Sequence, residues 1–269
     1  MSAPLHIDTR DGVAHLRFAR PQALNALDCA LGEALAEASA RLAEDPAVRV
    51  VVLSGEGKAF MSGGDLHFLR SSPVAAVDAL IPPVHQAVRT LAEMPKPVIA
   101  AIHGAAAGAG MSLALAADVV IAAEGTRLVF AYGDIGTSCD GGMSWHLAHR
   151  VGLSRATEIA LFGEPLTAQQ AFDLGLVMRV VPGDRLLETA DMLARRLVQR
   201  EPRALAHLKA LLRGAGERPL SAQLDAEYAA FRDCAAQPGF TAAIDRFFDR
   251  RGTPPGPRTD ATATTGETP

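Results

Sequence analysis

Cysteine is scarce in this sequence, three in 269 residues, at positions 29, 139 and 234. An odd number at wide, unrelated spacings argues against a disulfide framework and against a zinc site of the CxxC type, and fits a reducing cytoplasm. Aromatic residues make up only 5% of the chain, and nowhere are they interleaved with dense Lys and Arg, so no nucleic-acid partner is expected. Cations do not prevail either: 26 Lys and Arg stand against 30 Asp and Glu, a net charge of −4. Any anionic ligand therefore has to be met by local groups. No window reaches the roughly 18 apolar residues of a membrane span. The N-terminal MSAPLHIDTRDG has no basic region leading into an apolar run, so neither a span nor an export signal is expected.

What is present is an ordinary globular balance, 49% hydrophobic and 21% charged, enough for one large core with an appendage. The first half alternates β-rich runs with helical ones, the pattern of an α/β fold whose helices cover a sheet. Strands are expected at Val13 to Phe18, Val48 to Leu53, Val98 to Ile102, Val119 to Ala122 and Leu176 to Val181. Several of these are near-continuous apolar runs, as in strands buried on both faces. Helical periodicity marks 30–43, stopped by Asp45-Pro46, and 84–92, ended by Pro95 and Pro97. Beyond residue 150 helices dominate, at 154–162, 167–174, 185–199, 202–212, 220–234 and 240–250. The expected division is a core over 1–195, a helical region over 196–251, and a disordered tail over 252–269 with almost nothing apolar to bury.

Two glycine-rich segments carry the chemistry. HGAAAGAGMSLALAAD, His103 to Asp118, follows a buried strand and runs from small residues into a helical pattern. Small residues there serve tight strand-to-helix packing; they equally let a helix N-terminus present free N–H groups and its positive dipole end to a developing oxyanion. GKAFMSGGDLHFL, Gly57 to Leu69, delivers a second glycine pair, Gly63-Gly64, beside Asp65-Leu66. Two backbone donors, one at Gly64 and one at Ala109, then make an oxyanion hole, where losing one donor typically costs about 3–4 kcal/mol of transition-state stabilisation. Asp65 also reads as a helix N-cap. In the loop FAYGDIGTSCDGGMSW, Phe130 to Trp145, Asp140 is a candidate base flanked by Cys139 and a glycine pair, or a cap for the helix near Met143. His67 and His85 are lone histidines, each equally at home on a solvated helix face.

The blocks RPQALNAL at 20–27, GKAFMSGGDL at 57–66, PKPVIAAIHGAAAGAGMSLALAAD at 95–118 and AFDLGLV at 171–177 resemble, in order and spacing, those of the crotonase (enoyl-CoA hydratase/isomerase) superfamily. The likeness runs over residues 5–251. It implies a β-β-α spiral, acyl-CoA-binding core over the first part of the chain and a C-terminal helical trimerisation region, with trimers that pair into hexamers. It further implies an acyl-CoA thioester substrate and no cofactor or metal beyond the coenzyme A the substrate carries. Ala23, Leu24, Ser62, Gly64, Asp65 and Leu66 fall where the family contacts the CoA and its thioester, and Gly64 and Ala109 fall on the oxyanion-hole positions. Arg246, Arg250 and Arg251 resemble the basic segment that seats the nucleotide, or form a solvated helix face.

Hydratases of this family carry two glutamates, and at the corresponding positions this chain has Ser112 and Tyr132. Neither is a base near neutral pH, since an unperturbed tyrosine titrates near pH 10. Simple hydration is therefore disfavoured. IGTSCDGGMSW is similar to the loop of phenylacetate-pathway isomerases that rearrange epoxyphenylacetyl-CoA and shift enoyl-CoA double bonds, in which the aspartate matching Asp140 is the proposed proton shuttle. Against this stands a likeness to 4-chlorobenzoyl-CoA dehalogenases, in the pair His85-Gln86 with Asp140 55 positions later and an aromatic at Tyr132. The expected mechanism has Gly64 and Ala109 polarising the thioester carbonyl and Asp140 moving an α- or γ-proton, with Tyr132 or His85 orienting substrate or aspartate. A hydratase, a thioesterase and a non-catalytic CoA-binding scaffold remain as alternatives.

Overall fold

The computed structural model describes residues 3–251; the tail expected over 252–269 lies outside them. Six strands form the main sheet, in the order β1 (Leu5–Arg10), β2 (Val13–Phe18), β3 (Val50–Gly55), β4 (Val98–Ile102), β6 (Val119–Ala123), β9 (Arg179–Val181). β1 runs antiparallel to β2, and the rest are parallel. A second sheet joins β5 (Ala105–Ala107), β7 (Arg127–Val129) and β8 (Leu166–Thr167).

The apolar runs that read as central strands are buried on both faces because two layers of helices cover the sheet. Val51, Leu53, Ala100, Ile102, Val120 and Ala122 face the larger core, which takes in α1 (Cys29–Glu44), α3 (Pro73–Glu93) and α4 (Ala109–Ala116). Their alternates Val50, Val52, Ile99, Ala101, Ile121 and Ala123 face Leu186, Ala190 and Ala194 of α7 (Leu186–Val198). The period of two along each strand thus decides which helix each residue meets.

Several boundaries differ from the sequence expectation for identifiable reasons. β3 starts at Val50 rather than Val48, since its pairing with β2 runs from Val13↔Val50 to Phe18↔Gly55. β9 is shorter than 176–181 because the N–H groups of Leu176 and Val177 bond back to Ala171 O, closing α6 (Ala168–Asp173). The exposed strand β1 was not expected from an apolar pattern; the Asp11-Gly12 turn, both residues at positive φ, folds it onto β2 as a two-residue hairpin. α3 begins eleven residues before the expected Val84 and runs through Pro82 and Pro83. An interior proline costs about 3 kcal/mol, but Ala76, Leu80, Val84, Ala87, Val88 and Leu91 are buried along one stripe of α3, and that burial outweighs the cost. α3 approaches α1 closely at Gly32, where a Cβ would already lie 3.3 Å from Val84.

The chain divides after Arg213 into two compact units. The boundary expected at 195/196 marked a change in composition, but α8 (Pro202–Gly214) stays with the first unit because Lys209 and Arg213 both pair with Asp118, at 2.8 Å each. The second unit contains the helices α9 (Leu220–Ala235) and α10 (Gly239–Arg251), with Phe231 and Phe240 in edge contact.

Candidate active site

The two glycine-rich segments lie side by side. Met61 N–H donates to Ala105 O and Ala107 N–H donates to Met61 O, both at 3.0 Å, so Met61 pairs with Ala106 as an isolated parallel bridge. In a parallel pair the two chains advance together, so Gly63 comes beside Gly108 and Gly64 beside Ala109. The closeness of the glycines bears this out: a Cβ on Gly63 would sit 3.3 Å from Ala107 O, and one on Gly108 3.7 Å from Gly63 Cα. Gly64 is held from the other side by Leu27, whose N–H donates to Gly63 O and whose carbonyl accepts from Asp65 N–H. Among the described residues the N–H groups of Gly64 and Ala109 have no hydrogen-bond partner, and both leave the ends of the paired segments.

Ala109 opens α4, whose eight residues are all buried. Such a helix brings its dipole with it, about half a positive charge at the N-terminus and half a negative one at the other end. The C-terminal end is neutralised within the first unit. Arg150 donates to Leu115 O and Ala117 O, at 2.9 and 2.6 Å, and Arg213 donates to Ala116 O at 3.0 Å. Burial, then the two arginines, pushes the neighbouring His146 down to about 4, so it stays neutral. The positive end of α4 remains directed at the Gly64–Ala109 corner.

The 130–145 loop is tied to the same helix. Tyr132 OH donates to Asp140 Oδ1 at 2.6 Å, and Ser112 Oγ lies 2.9 Å from Tyr132 OH, 3.0 Å from Asp140 O and 3.3 Å from Gly108 O. Burial, followed by the Asp140 charge and its hydrogen bond, raises Tyr132 above its ordinary value, so near neutral pH the phenol keeps its proton and acts as a donor. Behind the aspartate, Gly141 N–H donates to His85 Nε2 at 3.1 Å. That bond assigns the ring proton to Nδ1 and leaves His85 no free lone pair. Asp140, Tyr132 and His85 are thus brought together, with His85 holding the loop from α3.

Other expected residues fall in place differently. Asp65 caps α2 (Leu66–Ser71) through His67 and Phe68 N–H, and pairs with Arg20, which also holds Asp28 at 2.9 Å. Burial raises the Asp65 carboxyl, but the Phe68 N–H, Arg20 and the His67 N–H outweigh it and hold it below the usual carboxylate range. Its carboxylate is therefore spent on the fold of the Gly63-Gly64 turn. Ser62 N–H bonds to Leu24 O at 3.0 Å, placing Ala23 and Leu24 next to that turn, with Leu24 and Leu66 exposed. His67 is exposed on α2. Arg246 is exposed on α10 in the second unit; Arg250 is on the same helix, its side chain outside the description.

Sequence reasoning missed Asn25 and Ser112. Asn25 is fully buried at φ 57, accepts from Arg20 N–H and donates to Glu56 O and Ala59 O, locking the 20–27 loop to the segment that leads to Gly64. An Asn between apolar neighbours in a loop is a usable signal, since Asn tolerates the left-handed conformation. Ser112 had been noted only for lacking a carboxylate.

A pair of N–H groups, one on a glycine turn and one at a helix start, beside a carboxylate loop on this helix-covered sheet, is the frame of an acyl-thioester enzyme. Residues 8–254 match the enoyl-CoA hydratase/isomerase family, and the chain belongs to it. It is 34% identical to 1,2-epoxyphenylacetyl-CoA isomerase of Escherichia coli (strain K12) over 89% of this chain and 93% of that protein. To 2,3-dehydroadipyl-CoA hydratase of the same organism it is 36% identical, over 92% of this chain and 96% of the relative. The crystal structure of an enoyl-CoA hydratase from Polaromonas sp. JS666 superposes with a TM-score of 0.87 at 36% identity, covering 91% of this chain and 97% of that one. The fold is accordingly that of the crotonase superfamily.

Proposed function

We propose that this enzyme is an enoyl-CoA isomerase that moves a double bond through a thioester enolate. The observation that carries the reading is the parallel register at Met61 and Ala106, which aligns the free N–H groups of Gly64 and Ala109, with the Asp140 loop hydrogen-bonded to the same helix through Ser112. The two N–H groups donate to the thioester oxygen as it becomes negative, helped by the dipole of α4. Asp140 takes the α- or γ-proton and returns it at the other end of the allyl system. Coenzyme A enters as part of the substrate, and no further cofactor is proposed. Ala23, Leu24, Ser62 and Leu66 border the thioester, and the resemblance of their segment assigns Arg246 and Arg250 to the CoA phosphates.

Two competing reactions are less well supported. Hydration needs a carboxylate pair to manage water; Ser112 and Tyr132 supply hydroxyls that are already engaged with each other and with Asp140. Nor does a glutamate fit easily at 112, since a Cβ on Gly141 would lie 2.9 Å from Ser112 Cβ and the loop backbone fills that space. A dehalogenase needs an imidazole to activate water, and the only free ring position of His85 is an N–H. Large exposed apolar side chains, Leu161 and Phe162 in the first unit and Tyr228 and Phe231 in the second, support assembly as a homotrimer or hexamer. A cytoplasmic location fits the cysteine usage.

Incubating the enzyme in D2O with a 3-enoyl-CoA, a 2-enoyl-CoA and 4-chlorobenzoyl-CoA tests the reading by mass spectrometry. The expected result is deuterium in an isomerised enoyl-CoA, with Asp140→Asn inactive yet still binding the thioester. Water addition, chloride loss or free CoA would select another reaction, and an active Asp140→Asn enzyme would remove this mechanism.

A further inference from the structure

We propose that Ser112 is a positioning residue for this reaction, a hydroxyl on the oxyanion-hole helix that acts on Asp140 through Tyr132. The inference rests on Asp140 being the base. Ser112 is fully buried and stands three residues after Ala109 on α4, so whatever it holds is held relative to the thioester oxygen. Its hydroxyl has one proton and three acceptors in reach: Tyr132 Oη at 2.9 Å, Asp140 O at 3.0 Å and Gly108 O at 3.3 Å.

The direction of these bonds follows from counting protons. Tyr132 has one, and it lies in the 2.6 Å bond to Asp140 Oδ1. The phenol oxygen can then only accept from Ser112, which makes a chain Ser112 to Tyr132 to Asp140, each bond polarising the next. The phenol fixes Oδ1 and leaves Oδ2 as the oxygen that meets the substrate proton. Once Asp140 carries that proton, the phenol oxygen is a weaker acceptor, and the Ser112 hydroxyl can turn to Asp140 O or Gly108 O without becoming unsatisfied. A serine here therefore serves both protonation states of the base, which alanine cannot do.

Kinetics of the Ser112→Ala, Tyr132→Phe and double variants, read as conversion of a 3-enoyl-CoA to its conjugated isomer, test the chain. Tyr132→Phe should lower kcat by about tenfold or more, the rate equivalent of one lost hydrogen bond to a charged group, and move the acid limb of the kcat/KM profile to higher pH. Ser112→Ala should lower kcat several-fold with KM unchanged and move the same limb the same way. In the Tyr132→Phe background it should have no further effect on the limb, because its action passes through the phenol. Melting temperatures near that of the parent show that each variant folds. A Ser112→Ala enzyme with parental kcat and pH profile, or effects that add fully to those of Tyr132→Phe, would overturn the chain. An active Asp140→Asn enzyme would instead remove the base, and this inference with it.

Discussion

Adding one methyl group at Gly110 probes the geometry on which the proposed oxyanion hole depends. In an ordinary exposed helix a Gly→Ala change stabilises by about 0.5–1 kcal/mol. Here the new Cβ would lie 2.3 Å from Met61 O and 2.8 Å from Met61 Cβ, and the obstacle is backbone, which cannot rotate away. Relief requires the Met61 segment and the start of α4 to part by about 1 Å, a normal contact being roughly 3.3 Å or more. The same movement stretches the two 3.0 Å bonds between Met61 and the 105–107 segment. Overpacking of this kind costs about 1–3 kcal/mol, and the weakened bonds about 1 kcal/mol each. The expected loss is thus about 3–5 kcal/mol, a fall in Tm of roughly 6–20 °C. Because the Gly64 and Ala109 donors part together, kcat should fall about a hundredfold in the fraction that remains folded. Turnover of a 3-enoyl-CoA and differential scanning calorimetry on the same preparation supply both readouts. A Gly110→Ala enzyme with raised Tm and undiminished kcat would refute the claim that these segments are in required contact.

Other expectations concern stability. His146 has a folded value pushed down to about 4, below its unfolded value near 6.5. The unfolded chain therefore binds the proton first as pH falls: the stability is fully present above about 6.5 and is lost at about 1.4 kcal/mol per pH unit, down to roughly pH 4. Urea midpoints measured across that window should fall with pH, and more gently in His146→Gln; an unchanged slope would place the proton-sensitive group elsewhere. Asp118→Ala leaves Lys209 and Arg213 without their carboxylate and Val98 N–H without its acceptor, which should cost about 3–5 kcal/mol in chemical unfolding. Asp118→Asn, which keeps an acceptor for Val98, should cost less.

The central strands were legible because burial on both faces leaves a continuous apolar run, whatever covers each face. The glycines and Asp140 were legible because backbone approach and carboxylate chemistry limit the residue types that can serve. α3 starts before the expected Val84 and contains Pro82 and Pro83, and only packing against α1 reveals why a helix runs through them. β1 was passed over for lack of an apolar pattern, although Asp11-Gly12 announces a hairpin.

What the sequence by itself determined is an α/β chain with two glycine-bearing segments, a carboxylate loop and no carboxylate at 112 or 132. Those are properties of residue type, fixed before any contact forms. Only the tertiary structure decided that Gly64 and Ala109 align, that His85 is spent on Gly141, and that Ser112, Tyr132 and Asp140 are joined by hydrogen bonds. Each is a hydrogen bond or register between segments distant along the chain. A hydroxyl or an N–H finds its partner by position in space, and no local pattern carries that information.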